Sequence, residues 1–165
     1  MIGMPGAGKS TVGVILAKQT GRDFIDTDVL IQVDEDRTLQ EILEQDGYMG
    51  LRAVEERVLL SLECRDCVIA TGGSAVYSDD AMCHLSRNGT VVFLDIDLPT
   101  VRRRITNIAT RGIARAPDQT LTDLFKERRD LYTKYADVTI PCNDLGQEQV
   151  AAEIVRVLRD TSAEL

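Results

Sequence analysis

Apolar positions recur along this chain with two different periods, and the alternation between them predicts its elements. Val12, Ile15 and Leu16 fall on one side of a helix over residues 9–19, closed by Gly21. "DFID" (23–26) reads as a short strand and 27–33 as a helix. Thr38 caps a further helix, "TLQEILEQDG", with Glu41 completing a capping box. The longest helical pattern covers 49–64, where Leu51, Val54, Val58, Leu59 and Leu62 share a face. "CVIAT" (67–71) is a continuous apolar strand ended by Gly72 and Gly73, and 79–87 is a helix stopped by Asn88 and Gly89. "TVVFLDI" (90–96) is apolar on both faces, as a buried parallel strand requires. Pro99 opens a helix reaching about residue 108, and 110–119 lacks any period and reads as a loop. A helix over 121–135, the strand "DVTIPC" (137–142) and an amphipathic helix over 147–159 complete the pattern.

Strands joined by helices predict an α/β fold, a three-layer α/β/α sandwich with a central parallel sheet in a single domain over 1–165. Ligand loops then gather at the carboxyl ends of the strands: 3–10, 26–28, 72–74 and the stretch around Arg111.

Composition narrows what those loops can do. The 165 residues are 44% hydrophobic, enough for a buried core, and formal charge is −8. An acidic surface does not attract a nucleic-acid backbone, and with 4% aromatic residues and no Trp there is little to stack bases on. Anionic ligands must instead be held locally, by arginines and backbone N–H groups. No apolar run approaches the ~20 residues of a membrane span, and a cytoplasmic location is expected. Of the four cysteines, Cys64 and Cys67 form C-R-D-C and Cys83 precedes His84. That set could supply zinc ligands, but no second C-x-x-C follows, so Cys67 and Cys83 are expected to act as small apolar residues.

The strongest motif opens the chain: "MIGMPGAGKST" fits G-x-x-x-x-G-K-[ST]. Its glycines let backbone N–H groups approach a phosphate, and the helix that follows adds its positive end. Lys9 is then expected at the β/γ-phosphates, with Ser10 or Thr11 at a Mg²⁺ position. Only Met1 and Ile2 precede the loop, so the strand that normally anchors it is expected to be shortened by truncation and the fold to be less stable.

Asp26 and Asp28 follow the next strand. One carboxylate can hold Mg²⁺ while the other takes the proton of an attacking hydroxyl; the alternative is a solvated turn with helix capping. Arg52 and Glu55, three apart on the long helix, are either a surface ion pair or an arginine aimed at a substrate carboxylate and steadied by Glu55. Gly72, Gly73 and Ser74 can present backbone N–H groups to a ligand or form a plain turn. Among Arg104, Arg111, Arg115 and Arg128, one is expected to close over the nucleotide.

The order of these pieces resembles the shikimate kinase family of P-loop small-molecule kinases over nearly the whole chain. The resemblance is carried by the loop 3–11, "FIDTD", "LRAVEE", "VIATGGSAV", an arginine-bearing lid and "ERRDLYTKYAD". It implies a P-loop kinase fold of five strands, with the first truncated here. A helical acceptor segment at about 27–60 and a mobile lid at about 109–119 complete it. It further implies ATP and Mg²⁺ as cofactors and phosphorylation of the 3-hydroxyl of shikimate by a monomer. Gly3, Gly6, Ala7, Gly8, Lys9, Ser10 and Thr11 would bind nucleotide, Ser10 and Asp26 would serve the metal, and Asp28 would bind and deprotonate the hydroxyl. Arg52, Gly72, Gly73 and Arg128 would hold the acceptor, Arg111 would be the lid arginine, and Arg104 would lie near the adenine.

Three positions depart from the family pattern. Ser74 stands for a third glycine and is expected to alter contacts with the acceptor ring. The lid reads Arg111-Gly112-Ile113-Ala114 for Arg-Pro-Leu-Leu, so closure is expected to differ. Asp130 replaces a proline two residues after Arg128 and is expected to weaken acid binding. Two other readings stay open: a kinase for another acceptor such as gluconate, and a nucleotide-binding regulatory module without transfer activity.

Overall fold

The structure is a computed structural model that describes residues 1–105 and 112–163. Its elements follow the hydrophobic pattern closely. In chain order they are α1 (Lys9–Thr20), β1 (Asp23–Asp26), α2 (Thr27–Glu35), α3 (Leu39–Leu60), β2 (Cys67–Ala70) and α4 (Asp79–Ser86). After these come β3 (Val92–Asp95), α5 (Leu98–Arg104), α6 (Leu121–Tyr135), β4 (Val138–Pro141) and α7 (Gln147–Ala163). A one-turn 3₁₀ helix at Ala75–Tyr77 is the only described element that the pattern misses.

Local chemistry explains the boundaries. Gly21 ends α1 in the left-handed conformation, φ 65°, that a Cβ disfavours. Capping boxes start α3 (Thr38 with Glu41) and α6 (Thr120 with Asp123). The two helical patterns read between residues 39 and 64 are one element kinked at Gly47, whose φ of 73° lies outside the helical region.

Parallel strands pair as β1–β2 and β3–β4, with Asp23 opposite Cys67 and Val92 opposite Val138. Met1 and Ile2 join the two pairs. The Met1 amine donates to Ile69 O at 2.6 Å, and Thr71 N donates back to Met1 O at 3.2 Å. On the other side Ile2 N donates to Val92 O at 2.9 Å, and Leu94 N donates to Ile2 O at 3.0 Å. The order is therefore β1–β2–(1–2)–β3–β4, and two residues carry the central position. Burying Ile2 and Met4, both under 3% exposed, fastens the loop that follows.

Helices α1 and α7 pack together, as do α3 and α4, flanking the sheet. The main core contains Ile2, Met4, Leu59, Phe93, Leu94, Leu124 and Tyr132. A second cluster of Ile31, Ile42, Leu51, Val58 and Ala114 lies between α2, α3 and the stretch after Gly112. This second cluster belongs to the segment expected to hold the acceptor. No helix among the described residues is long and apolar enough to cross a membrane.

The cysteines correct one expectation. Cys64 and Cys67 are joined in a disulfide between the end of α3 and the start of β2, so Cys67 is not a free apolar side chain. Three residues of separation bring the two sulfurs together where the chain reverses through Asp66, φ 51°. Cys83 is free and exposed, and Cys142 is free and buried.

Candidate active site

The loop between Ile2 and α1 wraps closely on the sheet. Gly3, at φ 147°, passes β3 so tightly that a Cβ there would stand 2.7 Å from Leu94 O. Gly6 and Gly8 also take positive φ, 82° and 98°, a backbone that a Cβ disfavours, and between them Ala7 N donates to Met4 O at 3.0 Å. Lys9 folds back over this loop and donates to Gly3 O at 2.7 Å and Met4 O at 3.1 Å. Burial brings its ammonium down to about 8, with Asp28 and Glu55 opposing the fall. A triphosphate here would supply the charge partner that this buried cation needs. Arg104, from the end of α5, donates to Gly6 O at 3.2 Å, so it lies across the same loop.

One cavity of about 380 Å³ runs from this loop to the acceptor segment. Gly8, Lys9, Ser10, Thr11 and Arg104 line one part of it; Asp28, Glu55, Gly72, Gly73, Ser74 and Arg128 line the other. The arrangement thus places an anion cradle and two carboxylates around one space.

Gly72 is the point where this is tightest. A Cβ there would stand 2.7 Å from Asp28 Oδ1 and would collide with Glu55 Oε1. Its N–H donates to Thr27 Oγ1 at 3.1 Å, a buried threonine between the two aspartates that the sequence did not single out. Burial raises the Asp28 carboxyl above its ordinary range, opposed by Lys9. Glu55 is 3% exposed and is pushed up to about 7, chiefly by burial. Ser74 donates to Glu55 Oε2, while Glu55 Oε1 is buried without a partner.

Arg128 is 1% exposed, donates to Ala114 O at 2.6 Å, and would meet a Cβ on Gly73 2.7 Å from its Nη1. Tyr132, one turn along α6, donates to Gly73 O at 2.6 Å and fixes that turn. The Nε groups of Arg52 and Arg128 are buried donors without acceptors. Two such guanidinium donors suit an anionic ligand group.

Several expectations need adjusting. Glu55 bonds Ser74 rather than pairing with Arg52, whose guanidinium lies over the Tyr77 ring at 3.4 Å from the centroid. Arg52 does not line the cavity; Arg128, which does, lies over the same Tyr77 ring at 5.5 Å from the centroid. Asp26 Oδ1 accepts from Asp28 N at 3.0 Å and caps α2, so the capping role set against metal binding is realised at this atom. Asp130 is exposed while Arg128, two residues earlier, is buried, because such spacing puts side chains on nearly opposite sides of a helix. Its carboxylate does not enter the cavity. Arg111 and the first part of the expected lid, 109–111, lie outside the described residues. Beyond them Gly112 N donates to Gln40 Oε1 at 3.1 Å, Ile113 is buried in the main core, and Ala114 is buried against the acceptor segment.

A glycine-rich phosphate cradle on a parallel sheet, sharing one cavity with two carboxylates and a buried arginine, defines a P-loop small-molecule kinase. Comparison with known proteins makes this particular. The sequence profile described as shikimate kinase matches residues 5–159. The shikimate kinase of Haemophilus influenzae (strain PittEE) is 34% identical over 162 residues, covering 96% of this chain and 90% of that protein. That of Sulfurihydrogenibium sp. is 32% identical, covering 96% of each. Among solved structures, shikimate kinase from Acinetobacter baumannii in complex with shikimate superposes with a TM-score of 0.88 at 33% identity, covering 97% of this chain and 91% of that one. The chain belongs to the shikimate kinase family.

Proposed function

We propose that this chain transfers the γ-phosphoryl group of ATP to the 3-hydroxyl of shikimate, in the cytoplasm and as a monomer. The observation that carries this reading is the cavity lined both by Gly8, Lys9 and Ser10 and by Asp28 and Arg128. A bound shikimate in the Acinetobacter relative supports the choice of acceptor.

In this reading the loop from Gly3 to Thr11 and Lys9 hold the phosphates. Ser10 is exposed at the first turn of α1, and with the carboxylate of Asp26 it forms a set of hard oxygen donors that fits Mg²⁺. The ion supplies charge neutralisation on the β- and γ-phosphates. Asp28 accepts the hydroxyl proton as the acceptor oxygen bonds to the γ-phosphorus and the bond to the ADP oxygen breaks. Its raised proton affinity suits that base role. Arg128 and the Gly73 N–H hold the acceptor carboxylate from the cavity wall, Arg52 reaches it from behind that wall, beside Arg128 over the Tyr77 ring, and Arg104 and Arg111 serve the nucleotide.

An ADP-release assay across hydroxy acids tests this. Shikimate should give turnover far above gluconate or no acceptor. Equal rates with gluconate, or nucleotide binding without ADP formation on any acid, would contradict it.

A further inference from the structure

The turn after Gly73 does more than connect β2 to α4. Its last residue, Tyr77, is half-buried and stands between two arginines from different helices. Arg52 of α3 places Cζ 3.4 Å from the Tyr77 ring centroid, and Arg128 of α6 places Cζ 5.5 Å from the same centroid. Arg52 is also 5.2 Å from the Tyr48 ring, so tyrosines flank it on two sides. Both Nε groups are buried and lack acceptors.

Two guanidiniums converging on one carboxylate repel each other. A shared aromatic ring offers partial negative charge from its π-face and a flat surface that fixes the guanidinium plane. At 3.4 Å the Arg52 guanidinium is in van der Waals contact with the ring, which limits its rotamers before any ligand arrives. Ordering an arginine in advance removes part of the side-chain entropy that binding would otherwise cost.

We infer that Tyr77 is a specificity-determining positioning residue: its ring holds Arg52 beside Arg128 as a preformed clamp for the carboxylate of the acceptor. This rests on the acceptor being a hydroxy acid held by those two arginines. Tyr77 does not touch the reacting oxygen, the phosphates or Lys9 in this account. Its loss should therefore fall on acceptor recognition and not on nucleotide recognition.

The test compares Tyr77→Ala and Tyr77→Phe with wild type, using shikimate and its uncharged methyl ester. Tyr77→Ala should raise KM for shikimate by about 3–30-fold, with KM for ATP unchanged and kcat altered far less. It should also shrink the preference for shikimate over the ester, because the clamp reads charge. Tyr77→Phe keeps the ring and should restore both quantities. If Tyr77→Ala leaves the acid-to-ester preference intact, or raises both KM values equally, the inference is overturned. Wild-type protein inactive on shikimate would instead overturn the functional reading itself, so the two failures are distinguishable.

Discussion

At the scale of single residues, Ser74 and Glu55 form a buried hydrogen-bonded pair in the cavity wall. Burial makes the Glu55 carboxylate costly, and the Ser74 hydroxyl is the group that lowers its proton affinity most. Removing that donor in Ser74→Ala should move Glu55 further above about 7. The acid limb of the kcat/KM profile, which reports the free enzyme, should then shift to higher pH. An unchanged limb would show that Glu55 ionisation is not required. Stability follows with a definite sign. The Glu55 value of about 7 when folded exceeds the ordinary 4.5, so the folded state binds more protons between those values. Its contribution is complete below about 4.5 and is lost as pH rises through about 7. Glu55→Gln should flatten that part of a Tm-against-pH curve. Neither partner's role was legible in the sequence. Nineteen positions separate them, and Ser74 showed as a replaced glycine and a candidate backbone donor, not as a hydroxyl donor.

At the scale of elements, the site depends on close approach of β2's end to α2 and α3. Gly72 permits it, since any Cβ would strike Asp28 and Glu55 together. Gly72→Ala should abolish transfer while leaving Mg·ATP binding by the distant loop within a few-fold, as measured by calorimetry. Full activity in that variant would mean that the two carboxylates need not meet there. Elements of this kind were largely legible: the capping boxes of α3 and α6, the Gly21 stop and the β-branched run of β3 each state a local cause. The 3₁₀ turn was not. It is one turn long and its residues Ala75, Val76 and Tyr77 carry no period. Contacts such as Arg52 with Tyr77 are set by tertiary packing between segments, which local pattern cannot express.

At the scale of the whole molecule, Met1 and Ile2 hold two strand pairs together, and the phosphate loop hangs from that junction. The ATP end and the acceptor end are thereby fixed to one framework, with Lys9 buried at the centre. Burial costs that ammonium stability, shown by its fall to about 8 from an ordinary 10.5. A bound triphosphate should return it. Mg·ATP should therefore raise Tm of the wild type, and Lys9→Met should lose most of that rise. A rise of equal size in both would remove Lys9 from the phosphate site. The motif, a parallel sheet and the gathering of the Lys9 and Asp28 loops at the strand ends were legible in the sequence, whereas the order of the strands was not. Arg52 and Arg128 as holders of the acceptor were implied by the family resemblance, but their approach to one tyrosine ring was not.

The most direct measurement follows the phosphoryl group itself. Phosphorus NMR of wild type and Asp28→Asn, each with Mg·ATP and shikimate, should show ADP and a new phosphate monoester signal in equal amounts for the wild type. The variant should form that signal at least ~100-fold more slowly, although calorimetry shows it still binds Mg·ATP. A wild type that binds Mg·ATP yet never forms the monoester, or a variant that forms it at the wild-type rate, would contradict transfer through Asp28.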